Sequence, residues 1–352
     1  MSVLGLNDMK LIVGITPEED DRIASLVTRG RYKTQEQFIQ VSIRNQLSLE
    51  EGDASVAHAT QVKNAPRPPE HAHVLAPSVL PAGLEAVPDF KPSGSLGAPQ
   101  ITTNEVLPHF ATKLWPCKLV VRFLANYMAH SGETAPQHTD LLTPLQNVAV
   151  ETKQFLEAAH RSNPRMRGTF LHAGLPDQDA KSIKRFHDLY FIGRPGSRAP
   201  SQSLAVRLGL IAIDTDAAGS STVRLTKQGL KFAGMDNPVL DSPDPDSVVS
   251  PFSDEEAAFL VGVLQDCSSH DATMMRALAK ALTAQPESRD DALERMRSII
   301  ERAGGKTEAI LNGMFVAITS RLVELGVAEI RKDGVRTQYT AGPRAKLLAG
   351  GA

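Results

Sequence analysis

The pattern of apolar and polar positions near the start of the chain predicts one strand followed by two helices. Leu11, Val13 and Ile15 alternate with outward-facing positions, which is the period of a β-strand. Apolar residues then recur at helical spacing over residues 17–29 and again over residues 34–47. The start of the chain is therefore predicted to be a strand–helix–helix unit.

This unit is too small to bury its own apolar side, because a lone strand has unpaired edges and about 45 residues make a marginal core. The simplest remedy is a second copy whose strand pairs with the first. The strand ending at Thr16, the turn at Gly30 and the helix start at Thr34 resemble the ribbon-helix-helix family of bacterial repressors and antitoxins. The resemblance covers residues 1–50. It implies a homodimer, formed through residues 10–47, whose ribbon enters a DNA groove.

The same resemblance makes Lys10, Ile12, Thr16 and Thr34 candidate DNA-binding residues. Ile12 can contact a thymine methyl group, whereas Gly14 has no side chain with which to read a base. The unit carries a net charge of about −1, so its charge adds no support for DNA binding. A dimerisation or partner-docking module is the alternative.

Residues 51–103 are predicted to form a disordered, proline-rich linker. Proline, alanine, glycine and serine dominate this segment, and proline keeps such a chain extended. His58, His71 and His73 lie here without a second ligand pair, so no metal site is expected.

The remaining residues, 104–352, contain an internal repeat. Ser203–Ile213 parallels Ser320–Ile330 at a constant offset of 117 residues. In each copy a helix ends at a glycine and is followed by an alternating pattern, a polar loop and a second alternating pattern, which predicts a hairpin. The chain should then contain two domains here, residues 104–240 and residues 241–352.

Helical patterns precede each predicted hairpin. In the first copy they cover Lys118–Met128, Leu145–His160 and Ala180–Ile192, and in the second Ser253–Gln265, Ala272–Leu282, Asp290–Ala303 and Glu308–Leu325. Both copies resemble the recognition helix and wing of winged helix-turn-helix domains. The predicted fold class is mainly α with short β hairpins: a ribbon-helix-helix unit, the linker and two winged-helix-like domains.

The segment between the two copies, Asp236–Glu256, has seven acidic residues, four prolines and no lysine or arginine. This composition predicts an acidic hinge.

Charge is uneven along a chain whose net charge is only −2. Residues 151–235 contain 13 lysines and arginines against 7 acidic residues. Long cationic side chains on one face suit phosphate contacts. Candidate DNA-binding residues in the first copy are Lys181, Lys184, Arg185, Arg194, Arg198, Arg207, Arg224, Lys227 and Lys231. In the second copy Arg331, Lys332 and Arg336 are the candidates, within a basic group that also includes Arg321, Arg344 and Lys346. The alternative is that these cations belong to ordinary solvated faces.

No catalytic, metal or cofactor site is expected. Gly304–Thr307 ends like a phosphate-binding loop, but Ile300 stands where that loop needs its first glycine, so Thr307 is predicted to cap a helix instead. The two cysteines, Cys117 and Cys267, suggest neither a disulfide framework nor a metal site. No signal peptide or membrane span is evident, so a cytoplasmic location is expected.

These patterns predict a homodimeric, sequence-specific protein that binds double-stranded DNA, of the kind that regulates transcription in bacteria. One alternative is a protein-interaction adaptor or antitoxin-like component of a defence or mobile-element system, with DNA secondary. Another is a plasmid replication or partition protein. Tethering several modest contacts on one dimer would raise the overall affinity.

Overall fold

In a computed structural model the chain divides into two units, residues 1–74 and residues 75–352. The structure describes Ala24, Gln35 and residues 80–86, 90–91, 95–99, 106–162, 171–192, 203–217, 219–242, 250–302, 307–333 and 336–349. Ala24 and Gln35 are helical. The predicted ribbon and, apart from these two residues, the whole dimerisation segment 10–47 lie outside the described residues, and so do Lys10, Ile12, Thr16 and Thr34.

The first half of the second unit is mostly helical and ends in a hairpin and a short helix. Its elements are α1 (Trp115–Ser131), α2 (His138–Ser162), α3 (Ala180–Phe186), a π-helical turn (His187–Phe191), α4 (Leu204–Arg207), β1 (Ile211–Thr215), β2 (Ser221–Leu225) and α5 (Lys227–Gly234).

The second half follows the same plan. Its elements are α6 (Asp254–Cys267), α7 (Ser269–Ala284), β3 (Glu287–Ser288), α8 (Arg289–Arg302), α9 (Glu308–Glu324), β4 (Ala328–Asp333), β5 (Arg336–Ala341) and α10 (Lys346–Ala349). The prediction of a mainly helical chain with short hairpins is therefore confirmed.

Both halves pair a short segment with the second strand of their hairpin. In the second half β3, β5 and β4 lie side by side in that order, all antiparallel, and α8 begins directly after β3. In the first half β1 pairs with β2, Gln137 bridges to Thr222 of β2, and α2 begins at the next residue. The repeat seen in the sequence thus extends to the hydrogen bonding of the two hairpins.

Glycine and capping residues in the sequence predict several helix ends that the structure confirms. Gly209 and Gly326 have φ values of 63° and 70°, a left-handed conformation that glycine adopts without strain at the end of a helix. The Thr307 side chain accepts a hydrogen bond from the Ile310 backbone N–H at the start of α9, as predicted.

The two copies differ in the helix that precedes the hairpin. In the second copy this helix, α9, has 17 residues, whereas α4 in the first copy has 4. Leu204, Ala205 and Val206 of α4 are buried. Because α4 is a single turn with three buried residues, it does not resemble the helix that enters a DNA groove. The structure therefore shows no long recognition helix before the first hairpin.

The predicted linker is also shorter than its composition suggested. Leu84 is only 2 % exposed and belongs to the core of the second unit. The Gly97 N–H donates to the Leu225 carbonyl oxygen at 2.9 Å, which places residues 95–99 beside β2. A Cβ atom at Gly97 would lie 2.6 Å from the Cβ of Ala212, so only glycine allows this approach.

The predicted boundary between residues 240 and 241 does not separate two cores. One continuous hydrophobic core runs from Leu84 to Leu348 and includes both halves. The described ends of the acidic segment, residues 236–242 and 250–256, are part of the body, because Asp241 and Glu256 bind cations of α1. The Lys118 ammonium lies 2.7 Å from the Glu256 carboxylate, and both side chains are fully buried.

Further hydrogen bonds complete this buried group. The Lys118 ammonium donates to the Phe232 and Met235 carbonyl oxygens at 2.6 and 2.7 Å. The Asn237 amide donates to both oxygens of Glu256. One turn further along α1, the Arg122 guanidinium binds Asp241 with two hydrogen bonds of 2.8 Å. Such paired and hydrogen-bonded charges are the form in which charge is tolerated in a core.

A second buried pair joins α9 to α7 and to the segment before α1. The Arg321 guanidinium lies 2.7 Å from Asp271 and donates to the Pro108 and Ala111 carbonyl oxygens. Glu324 accepts hydrogen bonds from the Leu114 and Trp115 backbone N–H groups where α1 begins. Arg321 is therefore a buried core residue and not part of an exposed basic group.

None of the helices in the described residues combines the length and the apolar character needed to cross a bilayer.

Replacing Lys118 with alanine should lower the free energy of unfolding by about 3–5 kcal/mol, because Glu256 would stay buried without its cation. Urea denaturation followed by circular dichroism measures the change. Lys153→Ala is the control: its ion pair with Asp177 is partly exposed, so the loss should stay below about 1 kcal/mol. Equal losses in the two variants would contradict a structural role for the buried pair.

Candidate nucleic-acid interface

Helix α3 presents three of the predicted cations on one exposed face. Lys184 and Arg185 follow Lys181 by three and four residues, so both lie next to Lys181 on the helix surface. The Asp179 side chain caps the helix by accepting from the backbone N–H groups of residues 181 and 182 at 3.0 and 2.9 Å. Lys184 pairs with Asp188 at 3.0 Å, whereas no described residue pairs with Arg185.

Helix α5 carries the second group. Lys227 and Lys231 are exposed and lie one turn apart. The Thr226 hydroxyl accepts a hydrogen bond from the Gly229 N–H at 3.0 Å and so begins the helix directly after β2. The Lys231 ammonium lies 5.4 Å from the centre of the Phe259 ring, which supports its stem while its charge stays exposed.

The β4–β5 hairpin carries the third group. Arg331 and Lys332 are exposed on β4, and Arg331 lies 3.7 Å from Glu329. Arg336 is the first residue of β5, and its side chain lies outside the described residues. Arg344, counted with this basic group in the sequence, instead binds Asp254 at 2.6 Å and the Phe252 carbonyl oxygen. The exposed charge of this hairpin is therefore near its tip.

Two predicted residues are engaged within the protein. Arg207 is half-buried on α4. Arg224 binds Asp214 across the first hairpin at 3.0 Å and donates to the Ser95 hydroxyl at 2.8 Å. Arg194 and Arg198 lie outside the described residues.

The helix that the sequence predicts as a recognition helix in the second copy is mostly buried. From Leu311 to Glu324, α9 packs into the body on most of its surface, and Val316 is its clearly exposed residue at 47 %. A Cβ atom at Gly313 would lie 2.9 Å from the His109 ring, so the segment before α1 covers this part of the helix. The described exposed residues of α9 include no cation.

Two buried imidazoles flank Phe191 in the first half. The ring centres of His138 and His187 lie 5.7 and 5.9 Å from that of Phe191. Burial lowers the pKa of both histidines, and that of His187 falls to about 4 with a further contribution from His138. Their Nε2 atoms have no hydrogen-bond partner among the described residues. Both rings are therefore neutral at neutral pH.

Within the described residues no three histidine, cysteine, aspartate or glutamate side chains form a group suited to a metal ion. Cys117 and Cys267 are buried free thiols. Burial raises the pKa of both thiols, and that of Cys267 reaches about 12.

The sequence did not reveal a cleft beside α3. It has a volume of about 220 Å³ and is lined by Phe110, Thr112, Gly174, Leu175, Pro176, Ser182, Arg185, Phe186, Leu189 and Tyr190. These residues come from three separate stretches, so no motif or spacing could have joined them. Arg185 is the one lining residue that the charge analysis had selected.

Comparison of the chain with family models, curated proteins and solved structures finds no match. Inference about function therefore rests on the residues and their arrangement.

The stability of the protein should fall as the pH is lowered from about 6.5 to about 4. In this window the unfolded chain binds a proton at His187 that the folded chain does not. The stabilisation that comes from burying the neutral His187 ring is therefore fully present above pH 6.5 and is lost as the pH falls toward 4. His187→Gln should reduce the loss by about 3 kcal/mol, measured by urea denaturation at a series of pH values. His130→Gln, at an exposed position, is the control. Identical pH profiles for His187→Gln and the native chain would contradict the assignment.

Proposed function

We propose that this protein binds double-stranded DNA as a homodimer and serves as a transcriptional regulator of the bacterial type. The observation that carries the proposal is the arrangement of the second half. From α7 onward, a helix, a strand, two helices and a hairpin follow in that order, with β3 beside β5, and the hairpin exposes Arg331 and Lys332. This order supports the resemblance to winged helix-turn-helix domains, in which a hairpin contacts the DNA backbone beside a helix.

The body is proposed to contact phosphates more than bases. Since α9 is mostly buried and its described exposed residues include no cation, the proposal assigns contact to the hairpin and to the basic faces of α3 and α5. Lysine and arginine contacts to phosphates give affinity and orientation but little sequence information. In this proposal sequence preference comes from the N-terminal ribbon through Lys10, Ile12 and Thr16.

Dimerisation through residues 10–47 would place two bodies on one duplex. Each body then adds weak contacts at a high effective concentration, so the pair binds more tightly than either body alone. Plasmid replication or partition would use the same contacts.

A protein-interaction adaptor is the second candidate. It is favoured by the exposed apolar side chains of Phe110, Val316 and Ile330, which are 49, 47 and 47 % exposed. Large exposed apolar side chains suit a protein partner better than a phosphate backbone.

Reversing the charges of Lys227 and Lys231 to glutamate should weaken binding to a random-sequence duplex at least about tenfold at low salt. The plot of log affinity against log salt concentration should become shallower by about 2, because two phosphate contacts are lost. Fluorescence anisotropy with the full chain measures both quantities. Arg331→Glu with Lys332→Glu should change them in the same direction.

The matched control is Arg276→Glu with Lys280→Glu. These residues are also exposed and one turn apart, on α7, and are not among the predicted contacts. The control changes the net charge by the same amount. An equal loss of affinity in the control would therefore show that net charge, and not contact at Lys227 and Lys231, causes the loss. Absence of DNA binding by the native chain, combined with a purified protein partner, would favour the adaptor.

Val13→Pro should weaken self-association at least about tenfold, because proline cannot donate a hydrogen bond within a strand pair. Sedimentation equilibrium of the full chain measures the dissociation constant. Ala57→Pro, in the segment predicted as linker, should leave the dimer intact. An unchanged dimer in Val13→Pro would place the dimer contact elsewhere.

A further inference from the structure

The cleft beside α3 is lined by apolar and polar side chains and includes one cation, Arg185, with which no described residue pairs. Leu175, Pro176, Phe186 and Leu189 form much of its wall, and Phe110 lies at the surface with half of its area exposed. A cleft that sets an apolar surface beside a polar group can hold a small molecule that carries both kinds of group.

Two polar side chains of the cleft are held within the protein. The Ser182 hydroxyl accepts from the Asp177 N–H at 2.9 Å, and the Tyr190 side chain is buried. Arg185 differs, because its side chain is exposed and no described residue pairs with it. A guanidinium presents parallel N–H donors that match a carboxylate in a bidentate pair.

The backbone at Gly174 packs tightly against the side chains that border the cleft. Gly174 has a φ of 91°, and a Cβ atom there would lie 3.0 Å from the Pro116 ring and 3.1 Å from the Tyr190 hydroxyl oxygen. The π-helical turn His187–Phe191 brings both Leu189 and Tyr190 into the lining. Single π-helical turns within α-helices are frequent at functional sites.

The volume limits the class of ligand. Sites for drug-sized molecules measure about 300–1,000 Å³, so a cleft of 220 Å³ suits one ring with a short substituent and excludes a whole nucleotide. Phe110, which is 49 % exposed, offers an aromatic surface at the cleft, and aromatic rings pack favourably in offset or edge-to-face contact.

We propose that this cleft binds a small aromatic carboxylate, with the carboxylate on Arg185 and the ring against Phe110 and Leu189. The proposal is independent of DNA binding, because its test contains no DNA. A bound ligand would withdraw Arg185 from the basic face of α3, which gives a direct route from ligand to phosphate contact.

Isothermal titration of the full chain with sodium benzoate tests the proposal. We expect saturable binding of one benzoate per chain, and at least about tenfold weaker binding of benzyl alcohol, which has the ring without the charge. Arg185→Gln should weaken benzoate binding by a similar factor. Phe110→Ala should weaken benzoate and benzyl alcohol alike, because it removes part of the apolar surface that holds the ring.

Lys184→Gln is the matched control, since it removes a cation from the adjacent exposed position of the same helix. It should bind benzoate within about twofold of the native chain. Absence of benzoate binding at millimolar concentration would overturn the proposal. Equal affinities for benzoate and benzyl alcohol would overturn it too, as would equal losses in Arg185→Gln and Lys184→Gln.

Discussion

The ion pair between Lys118 and Glu256 is the contact on which the unit of residues 75–352 depends. It joins α1 of the first half to the start of α6 in the second, and both side chains are fully buried. Two charges in a core are stable only as a hydrogen-bonded pair, so their elements must meet in one arrangement. The Lys118 ammonium also donates hydrogen bonds to two carbonyl oxygens at the end of α5, and the Asn237 amide donates to the Glu256 carboxylate. Two halves that look like separate repeats in the sequence are thereby held as one body.

The same constraint explains why counting charges gave a mixed result. Lys118, Arg122 and Arg321 are buried and pair with acids of the body, whereas Lys181, Lys227 and Lys332 are exposed. Lysine and arginine have the same charge in both settings, and only the environment decides whether that charge is available to a phosphate. The acidic segment 236–256, which looks like a free hinge by composition, supplies partners for α1. The exposed cations are therefore fewer than the total of lysines and arginines suggests. Among the described residues, the exposed candidates lie on α3, α5 and the β4–β5 hairpin.

The proposed contacts and the proposed ligand cleft meet at α3. Arg185 belongs both to the exposed basic face and to the cleft lining, while Lys184 is held by Asp188. A carboxylate on Arg185 would compete with a phosphate for the same guanidinium. An arrangement of this kind couples two ligands through one side chain and needs no change of fold. Because α9 is buried and Phe110 and Val316 are exposed, the main alternative hypothesis is that this protein binds a protein partner.

The positions of the helices and hairpins were determined by the sequence itself, because their signals are local. Apolar spacing, the capping residue Thr307 and the glycines at 209 and 326 act over a few residues, and the helices they predict agree with the structure to within a few residues at most ends. The tertiary structure alone decided three other matters. It buried α9, fused the two halves and built the cleft from residues near 110, 175 and 187. These contacts join side chains far apart in the chain, and no period or spacing along a sequence records which distant partner a lysine or a phenylalanine will meet.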